Sequence, residues 1–348
     1  AMGDDGAEYS QGYFSPGDYP DFRIYKGSDG GTYNAEPSEN VEWANYGQFI
    51  IDSLTGFSTI SYAIDLHYGA NLVSFPALPE DDSIGNIMSS IEETVSGVIG
   101  EGVAANLLPN GQWVGSLDDI SLKSGYWIKL DSASMVDYVT YPYGQNVSVI
   151  DSTDNEVLDV VYEPIELSYS LSQGNNLISF PGENNSVACQ EGDEGCVVLN
   201  YDFLSVLPDN LLNVLTGVLA EGSSAVNDNG AWIGSLEQQG FDGFKGYWLQ
   251  VSEDVEFSFN LDNGVMARKN SSYQKEVLPG YEFVQSSQQA FYFVKGLPEA
   301  NIGDWIVAFH DDVVVGARKW NGEVVDVPVM GNDGETYSVG YTETGSIP

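Results

Sequence analysis

The chain has 348 residues and carries 52 acidic against 11 basic side chains, which gives a formal net charge of -41. Proteins that bind nucleic acid neutralise phosphates with Lys and Arg, so this charge excludes nucleic acid as a partner. No apolar run approaches the roughly 18 residues that a membrane-spanning helix needs, and we expect no membrane insertion. An acidic surface repels itself unless salt screens it, which suits an extracellular or cell-surface location.

Residues 1–57 are predicted to be a β segment. Three runs in this segment are rich in strand-forming residues, namely DFRIYKG, GTYNA and GQFIIDSL. The whole chain contains 39 glycines and has an aromatic fraction of 12%. Strands joined by tight turns have this composition, so the fold is predicted to be mainly β with some α.

Residues 58–150 are predicted to form the first of two small α+β modules. A strand at LVSFP comes first. Apolar residues at helical spacing then predict a helix over residues 84–99, which Asp82 or Ser83 would cap and Gly100 would end. Short strands around Trp113 and at GYWI would complete the module.

Residues 151–270 are predicted to be a second copy of the module, because four sequence blocks recur in the same order. GANLVSFP is matched by GNNLISFP, GVIGEG by GVLAEG, GQWVGSL by GAWIGSL, and GYWI by GYWL. Pro208 interrupts the helical pattern of this copy, so its helix is predicted to begin near Asp209. This copy also contains an insertion with Cys189 and Cys196, which we expect to form a disulfide in an oxidising compartment.

Residues 271–348 are again strand-like, with the runs YEFVQ, AFYFVKGL, DWIVAFH, VVVGARKW and VVDVPVM. The last twenty residues match the first twenty at ten positions without a gap. We interpret the chain as one period of a longer tandem array, cut inside a domain, with a duplicated turn motif as the alternative. In an array, segments 271–348 and 1–57 would form one β-sandwich that is split between the termini here. It could close within one chain or by strand addition between neighbouring chains.

Four blocks, DWIVAFHDDVVVGARKW, DVPVMGNDG, GANLVSFP and GYWIKL, resemble modules of large secreted proteins of marine and gut bacteria. Many proteins of that kind carry a type IX secretion sorting tail. The resemblance implies export from the cell, followed by attachment to the cell surface or release. Its motifs are structural, and it assigns no catalytic residues to this chain.

Oxygen-bearing side chains cluster in glycine-containing turns at equivalent places near the two ends, at Asp4, Asp5, Glu8, Asn332, Asp333 and Glu335. Calcium takes six to eight oxygen ligands, so these residues are candidate calcium ligands. Neither cluster has the spacing of an EF-hand loop. Asp, Asn and Gly also favour turns without any metal, and this is the alternative interpretation.

Seven tryptophans raise the possibility of sugar stacking. Four of them occupy matching positions beside glycine in the two modules, which favours a core role, and these are Trp113, Trp127, Trp232 and Trp248. Trp43 and Trp320 flank turns instead. They are the candidates for exposed ligand contacts, with glycans as the candidate ligands.

The chain is predicted not to be an enzyme. It contains two histidines, His67 and His310, and has no P-loop, dinucleotide-binding, HExxH or G-x-S-x-G motif. The leading hypothesis is an extracellular structural repeat unit of a filament, stalk or adhesin, whose partners are other copies of itself or neighbouring repeats. The alternative is a carbohydrate-binding module of a secreted polysaccharide-handling system.

Overall fold

The computed structural model describes all residues except 1, 5, 27–30, 58–59, 80, 141–166, 183–196, 262–264, 270–276 and 346–348. Its content of 41% strand and 8% helix confirms the predicted mainly β fold. The chain divides into two compact units, residues 1–61 with 139–165 and residues 62–138 with 166–348. Among the described residues, no helix is long and apolar enough to cross a membrane.

The first unit contains a three-stranded antiparallel sheet. Its strands are β1 (Phe22–Lys26), β2 (Gly31–Pro37) and β3 (Leu54–Phe57), with β2 in the middle. The strand predicted at GQFIIDSL is wrong, because only its last residue, Leu54, belongs to a strand. The run lacks the alternation of a half-buried strand, and its apolar residue Ile50 is 87% exposed.

The first module of the second unit is built around a five-stranded antiparallel sheet with the order β5-β9-β6-β7-β8. A separate pair, β4 and β10, lies outside this sheet. The elements of the module are β4 (Ile60–Leu66), β5 (Gly69–Val73), α1 (Ile84–Ile87), β6 (Val95–Ile99), β7 (Ala104–Leu107), β8 (Trp113–Gly115), β9 (Tyr126–Leu130) and β10 (Ser134–Thr140).

The second module repeats this sheet, with the order β12-β17-β14-β15-β16. Two further strand pairs, β11 with β18 and β13 with β19, are antiparallel. The elements are β11 (Ser168–Leu171), β12 (Gly174–Ser179), β13 (Val197–Tyr201), α2 (Asp209–Leu212), β14 (Leu215–Ala220), β15 (Ser223–Asp228), β16 (Ala231–Ile233), α3 (Ser235–Gln239), β17 (Gly246–Val251), β18 (Val255–Ser258) and β19 (Val265–Lys269).

The helix predicted over residues 84–99 is wrong in its second half. Helix α1 ends at Ile87, and a single 3-10 turn covers Ser89–Ile91 before β6 begins at Val95. A register shift between Val95 and Gly97 interrupts the pairing of β6 with β9. It leaves both Val95 and Val98 buried, so the strand has the three-residue apolar spacing of a helix.

The second copy shows the same error and the same cause. Helix α2 begins at Asp209, as predicted, but it ends at Leu212 and the following apolar residues form β14. A register shift between Leu215 and Gly217 again places two buried residues, Leu215 and Val218, three positions apart. The other three pairs of sequence blocks contain strands or strand ends, as predicted.

The C-terminal segment of the second unit forms two antiparallel strand pairs, β20 with β23 and β21 with β22. The strands are β20 (Gln289–Val294), β21 (Trp305–His310), β22 (Val313–Lys319) and β23 (Val325–Met330). The strand predicted at YEFVQ is wrong. Its backbone contacts the first module instead, since the Gln285 carbonyl accepts a hydrogen bond of 3.0 Å from the Ala70 amide.

The two modules contact each other through equivalent residues in both directions. The Leu72 amide donates to Glu221 Oε2 at 3.1 Å, and the Leu177 amide donates to Glu101 Oε2 at 2.7 Å. Leu72 and Leu177 hold the same position in their blocks, and so do the two glutamates. The contact is therefore isologous, like the interface of a twofold dimer, but within one chain.

Two glycines lie at the centre of this contact. A Cβ atom added to Gly125 or Gly246 would come within 3.1 Å of the Cα atom of the other glycine. A small shared core of apolar residues packs beside them, formed by Ala70, Leu72, Ile99, Trp127, Leu177 and Trp248. Only glycine allows the two backbones to approach this closely, which explains why each GYW block begins with one.

We expect Gly246→Ala to destabilise the chain by about 1–3 kcal/mol, because the added methyl group overpacks a site bounded by backbone atoms. Its Cβ would lie 2.9 Å from the Val73 carbonyl oxygen. The matched control is Gly296→Ala, whose Cβ meets no atom within 4 Å. Urea unfolding measures both free energies, and equal values for the two variants would contradict the close approach.

Candidate functional site: a motif present at both ends

A short motif occurs near both ends of the chain and folds in the same way each time. The N-terminal motif is residues 2–17 in the first unit, and the C-terminal motif is residues 330–345 in the second. Each contains a 3-10 helix of three residues, Glu8–Ser10 in one and Thr336–Ser338 in the other. The backbone angles of the residues flanking these helices agree within a few degrees.

The two motifs also share their turns. A parallel bridge joins Gly3 to Phe14 in the N-terminal motif, and Gly331 to Thr342 in the C-terminal motif. Three glycines in each motif have a positive φ, in the equivalent pairs Gly6 and Gly334, Gly12 and Gly340, and Gly17 and Gly345. The sequence match between the ends therefore corresponds to one local structure.

A buried serine closes each motif. Ser10 Oγ donates to Asp4 Oδ1 at 3.0 Å, and Ser338 Oγ lies 3.1 Å from Asn332 Oδ1. The same two acceptor oxygens receive the backbone amide two residues further on, at 2.8 and 3.0 Å. Short polar side chains hold turns in this way, so Asp4 and Asn332 have the turn role that the sequence left open beside calcium binding.

A buried lysine anchors the C-terminal motif to the first module. Lys129, in β9, is only 6% exposed. Its Nζ donates to the Asp333 carbonyl oxygen at 3.0 Å and lies 3.7 Å from Asp333 Oδ2 and 3.5 Å from Glu335 Oε1. A buried ammonium group is costly unless it is paired, so this acidic turn supplies the counter-charge that Lys129 requires.

Asp333 is the centre of this contact. Its carboxylate accepts hydrogen bonds from Ser287 N at 3.1 Å and Oγ at 3.0 Å, from Tyr337 Oη at 2.9 Å and from Ser338 Oγ at 2.8 Å. Burial by itself raises the pKa of Asp333. The hydrogen bonds and the charge of Lys129 outweigh burial, so the pKa lies below its ordinary value of 3.8.

Apolar and aromatic groups complete the contact. Tyr341 Oη donates to the Val284 carbonyl oxygen at 3.1 Å and accepts from the Val284 amide at 2.8 Å. Tyr341 is 5% exposed, and Met330, at the start of the motif, is 0% exposed. We call Lys129, Val284 and Ser287 the docking surface, because these three residues receive the side chains of the C-terminal motif.

The N-terminal motif exposes the residues that the C-terminal motif buries. Met2, the counterpart of Met330, is 74% exposed, and Tyr13, the counterpart of Tyr341, is 48% exposed. Trp43 packs against this motif. Its ring stacks on Phe14 at 6.4 Å between centroids and covers Gly3, where a Cβ would lie within 2.2 Å of the indole.

The two tryptophans that the sequence offers as exposed ligand contacts, Trp43 and Trp320, differ in their burial. Trp320 is 6% exposed and packs with Val325 and Val327, so the prediction of an exposed ligand contact is wrong at this position. Trp320 directly follows β22 and packs against residues of β23, which come later in the chain. The turn residues next to Trp320 therefore do not indicate its burial. Trp43 is half-buried, and one face of its ring is used inside the first unit.

The core role predicted for the other module tryptophans agrees with their packing. Trp127 is 3% exposed, and Trp248 packs against the same shared core. Trp113 packs against the core of the first module. In the second module Trp232 contacts Phe203, at 5.1 Å between ring centroids.

The candidate calcium ligands do not form a cation cage in the described part of the chain. Asp5 and the side chain of Glu8 lie outside the described residues, as do Cys189 and Cys196. No group of three or more His, Cys, Asp or Glu among the described residues is arranged to hold a metal. Around Asp333 the carboxylate oxygens already face N–H, O–H and ammonium donors, which does not fit a calcium ion in this arrangement.

The two histidines make local contacts. His67 Nε2 lies 2.6 Å from Glu221 Oε1 at the contact between the modules. His310 Nδ1 lies 3.0 Å from the Gly340 carbonyl oxygen, next to the C-terminal motif.

A second buried carboxylate, Asp326 in β23, joins the C-terminal segment to the second module. It is 0% exposed. Ser224 donates to it through N at 2.8 Å and Oγ at 3.1 Å, and Ser235 through N at 2.8 Å and Oγ at 2.7 Å. Arg318 Nη2 lies 3.4 Å away. Sequence reasoning missed Asp326, Lys129 and Ser287, although Lys129 was visible as a lone charge inside an apolar strand.

A cavity of about 600 Å³ opens beside this carboxylate. Three aromatic residues, Tyr281, Phe283 and Trp305, line it together with the side chains of Gln238, Lys245 and Asn321. Aromatic rings beside hydrogen-bonding side chains can accommodate the apolar face and the hydroxyl groups of a sugar.

We expect Asp333→Asn to destabilise the chain by about 1–3 kcal/mol at neutral pH, because the buried Lys129 loses one of its two carboxylate partners and the donors that face Asp333 lose an ionised acceptor. The folded pKa lies below the unfolded one, so the wild-type advantage is full above about pH 4 and is lost as the pH falls through the folded pKa. Urea unfolding from neutral to acid pH measures this difference. Asp312→Asn, at an exposed carboxylate, is the control. An advantage that stays constant with pH would contradict the ion pair.

No protein-family model, curated protein or solved structure matches the chain. A family is therefore not shown.

Proposed function

We propose that this chain is an extracellular, non-catalytic structural repeat unit of a filament, stalk or adhesin. The observation that carries the proposal is the motif found near both ends, with one sequence pattern and one backbone conformation. In a tandem array, the C-terminal motif of each unit would hold the place that the N-terminal motif holds in the next. The same local structure at both ends is what such an array requires.

The construction of the second unit supports a mechanical role. Its two modules are held together by reciprocal hydrogen bonds, and the C-terminal segment is attached to the second module through buried Asp326 and to the first through buried Lys129 and Asp333. The net charge of -41 would keep such units soluble and apart along their sides in salt water. The resemblance to modules of large secreted bacterial proteins points to the same role.

We expect chains with one, two and three tandem copies of residues 1–328 to form particles whose length grows by one constant increment per copy. Negative-stain imaging measures the length, and light scattering measures the mass of each species. Lengths that do not grow with copy number would contradict a repeating structural unit. The same measurements with a chelator test the calcium prediction, under which assembly or shape would change on removal of the metal.

The second candidate function is carbohydrate binding, which the cavity lined by Tyr281 and Trp305 favours. If this is the function, Trp305→Ala should weaken retention on the recognised polysaccharide by at least tenfold. The variant loses the stacking of a sugar ring on the indole, and stacking on one aromatic side chain is worth more than about 1 kcal/mol. Tyr25→Ala, at an exposed tyrosine of the first unit, is the matched control. Polysaccharide pull-down over a panel measures retention, and no retention by the wild-type chain would reject this candidate.

A further inference from the structure

The residues through which the C-terminal motif docks are repeated in the N-terminal motif. Four side chains of the C-terminal motif are buried or hydrogen-bonded where it docks, and each has an identical counterpart, in the pairs Met330 and Met2, Asp333 and Asp5, Tyr337 and Tyr9, and Tyr341 and Tyr13. Asp5 itself lies outside the described residues. The N-terminal motif thus carries the side chains that the docking surface accepts.

The differences between the motifs are as informative as the identities. Glu335, which lies 3.5 Å from Lys129, is replaced by Ala7 in the N-terminal motif. Thr342 of the C-terminal motif is replaced by Phe14 in the N-terminal motif. Phe14 stacks on Trp43. The N-terminal motif should therefore fit the docking surface with one ionic contact fewer than the C-terminal motif.

Equivalent side chains of the two motifs differ strongly in their exposed fraction. Met330 and Tyr341 are 0% and 5% exposed, whereas Met2 and Tyr13 are 74% and 48% exposed. A methionine and a tyrosine on the surface of one motif need no explanation by themselves. Their identity with two buried residues of the same local structure indicates a surface shaped to be covered.

We propose that the N-terminal motif of one chain docks on the surface formed by Lys129, Val284 and Ser287 in a second copy of this chain, in place of that copy's C-terminal motif. The inference rests on the proposed repeat function and names the partner of one end of the unit. Each chain offers one motif and one surface, so the contact is head-to-tail and leads to open linear assemblies.

The C-terminal motif of the second copy competes for the same surface. It is part of the same chain, so its effective concentration at the surface is on the order of millimolar, and it has the additional contact from Glu335. Exchange between chains should therefore be limited in the wild-type protein. It should increase when the resident motif is weakened without any change to the docking surface.

Tyr341→Ala weakens the resident motif in this way, because it removes the hydroxyl that bonds to both backbone groups of Val284. We expect this variant to sediment as dimers and longer species at concentrations where the wild type is monomeric. Adding Tyr13→Ala should return it to a monomer, since the incoming motif then lacks the same hydroxyl. Circular dichroism verifies that both variants are folded.

Two results would overturn the proposal. One is a folded Tyr341→Ala chain that stays monomeric, and the other is a double variant that associates as strongly as the single one. The second result would identify nonspecific association through the exposed apolar surface. Regular growth of tandem copies in images, together with either result, would leave the repeat function standing and reject only this contact.

A cross-linking experiment on an otherwise wild-type chain covers the case in which Tyr341→Ala does not fold. Gln288, whose carbonyl accepts a hydrogen bond from the Gly331 amide of the resident motif and whose side chain is exposed, is replaced by benzoylphenylalanine. The chain is mixed with isotope-labelled chain at about millimolar concentration, where an incoming motif can compete with the resident one, and is then irradiated. We expect mass spectrometry to find cross-links between unlike chains within residues 2–17. Cross-links between chains that fall only on other residues, or an absence of such cross-links, would overturn the proposal.

Discussion

The fixed pairing of the two modules is the constraint on which the rest of the second unit depends. The C-terminal segment makes hydrogen bonds with the first module and with the second module in turn. The Gln285 carbonyl contacts Ala70 of the first module, and Gln289 Nε2 donates to the Ala220 carbonyl of the second at 2.8 Å. Such alternation is possible only if the modules keep one relative position. The contact around Gly125 and Gly246 maintains that position.

Buried charge then fixes the C-terminal segment in register. Asp326 is held by the second module, and Asp333, after the end of β23, is held by the first. Each carboxylate has several donors, because an ionised group without them could not remain buried. Any slip of β23 would separate both carboxylates from their donors at once. The strand is therefore positioned by two widely spaced polar contacts in addition to its apolar packing.

The sequence predicts much of the fold because the modules repeat and their blocks are strands with clear turn residues. It fails where a β-bulge gives a strand the apolar spacing of a helix, as at Val95 and Val98. It fails at Trp320 because burial by a strand that follows in sequence leaves no local sign. The sequence match between the two ends of the chain predicts a shared motif, but it does not predict that Asp333 of this motif pairs with Lys129. Lys129 and Asp333 are far apart in sequence, and only the folded chain brings them together.

The reciprocal contact between the modules has a further consequence, because its backbone is symmetric while its charges are not. Glu221 lies beside His67 and Lys245, whereas the positions equivalent to these two, around Glu101, are Ser172 and Ser124. In a dimer of identical subunits, every substitution at a twofold contact appears on both sides. Joining two modules in one chain removes that restriction, so each half of the contact can evolve separately. One half has a histidine and a lysine beside its glutamate and the other has two serines, while both glutamates accept from a backbone amide.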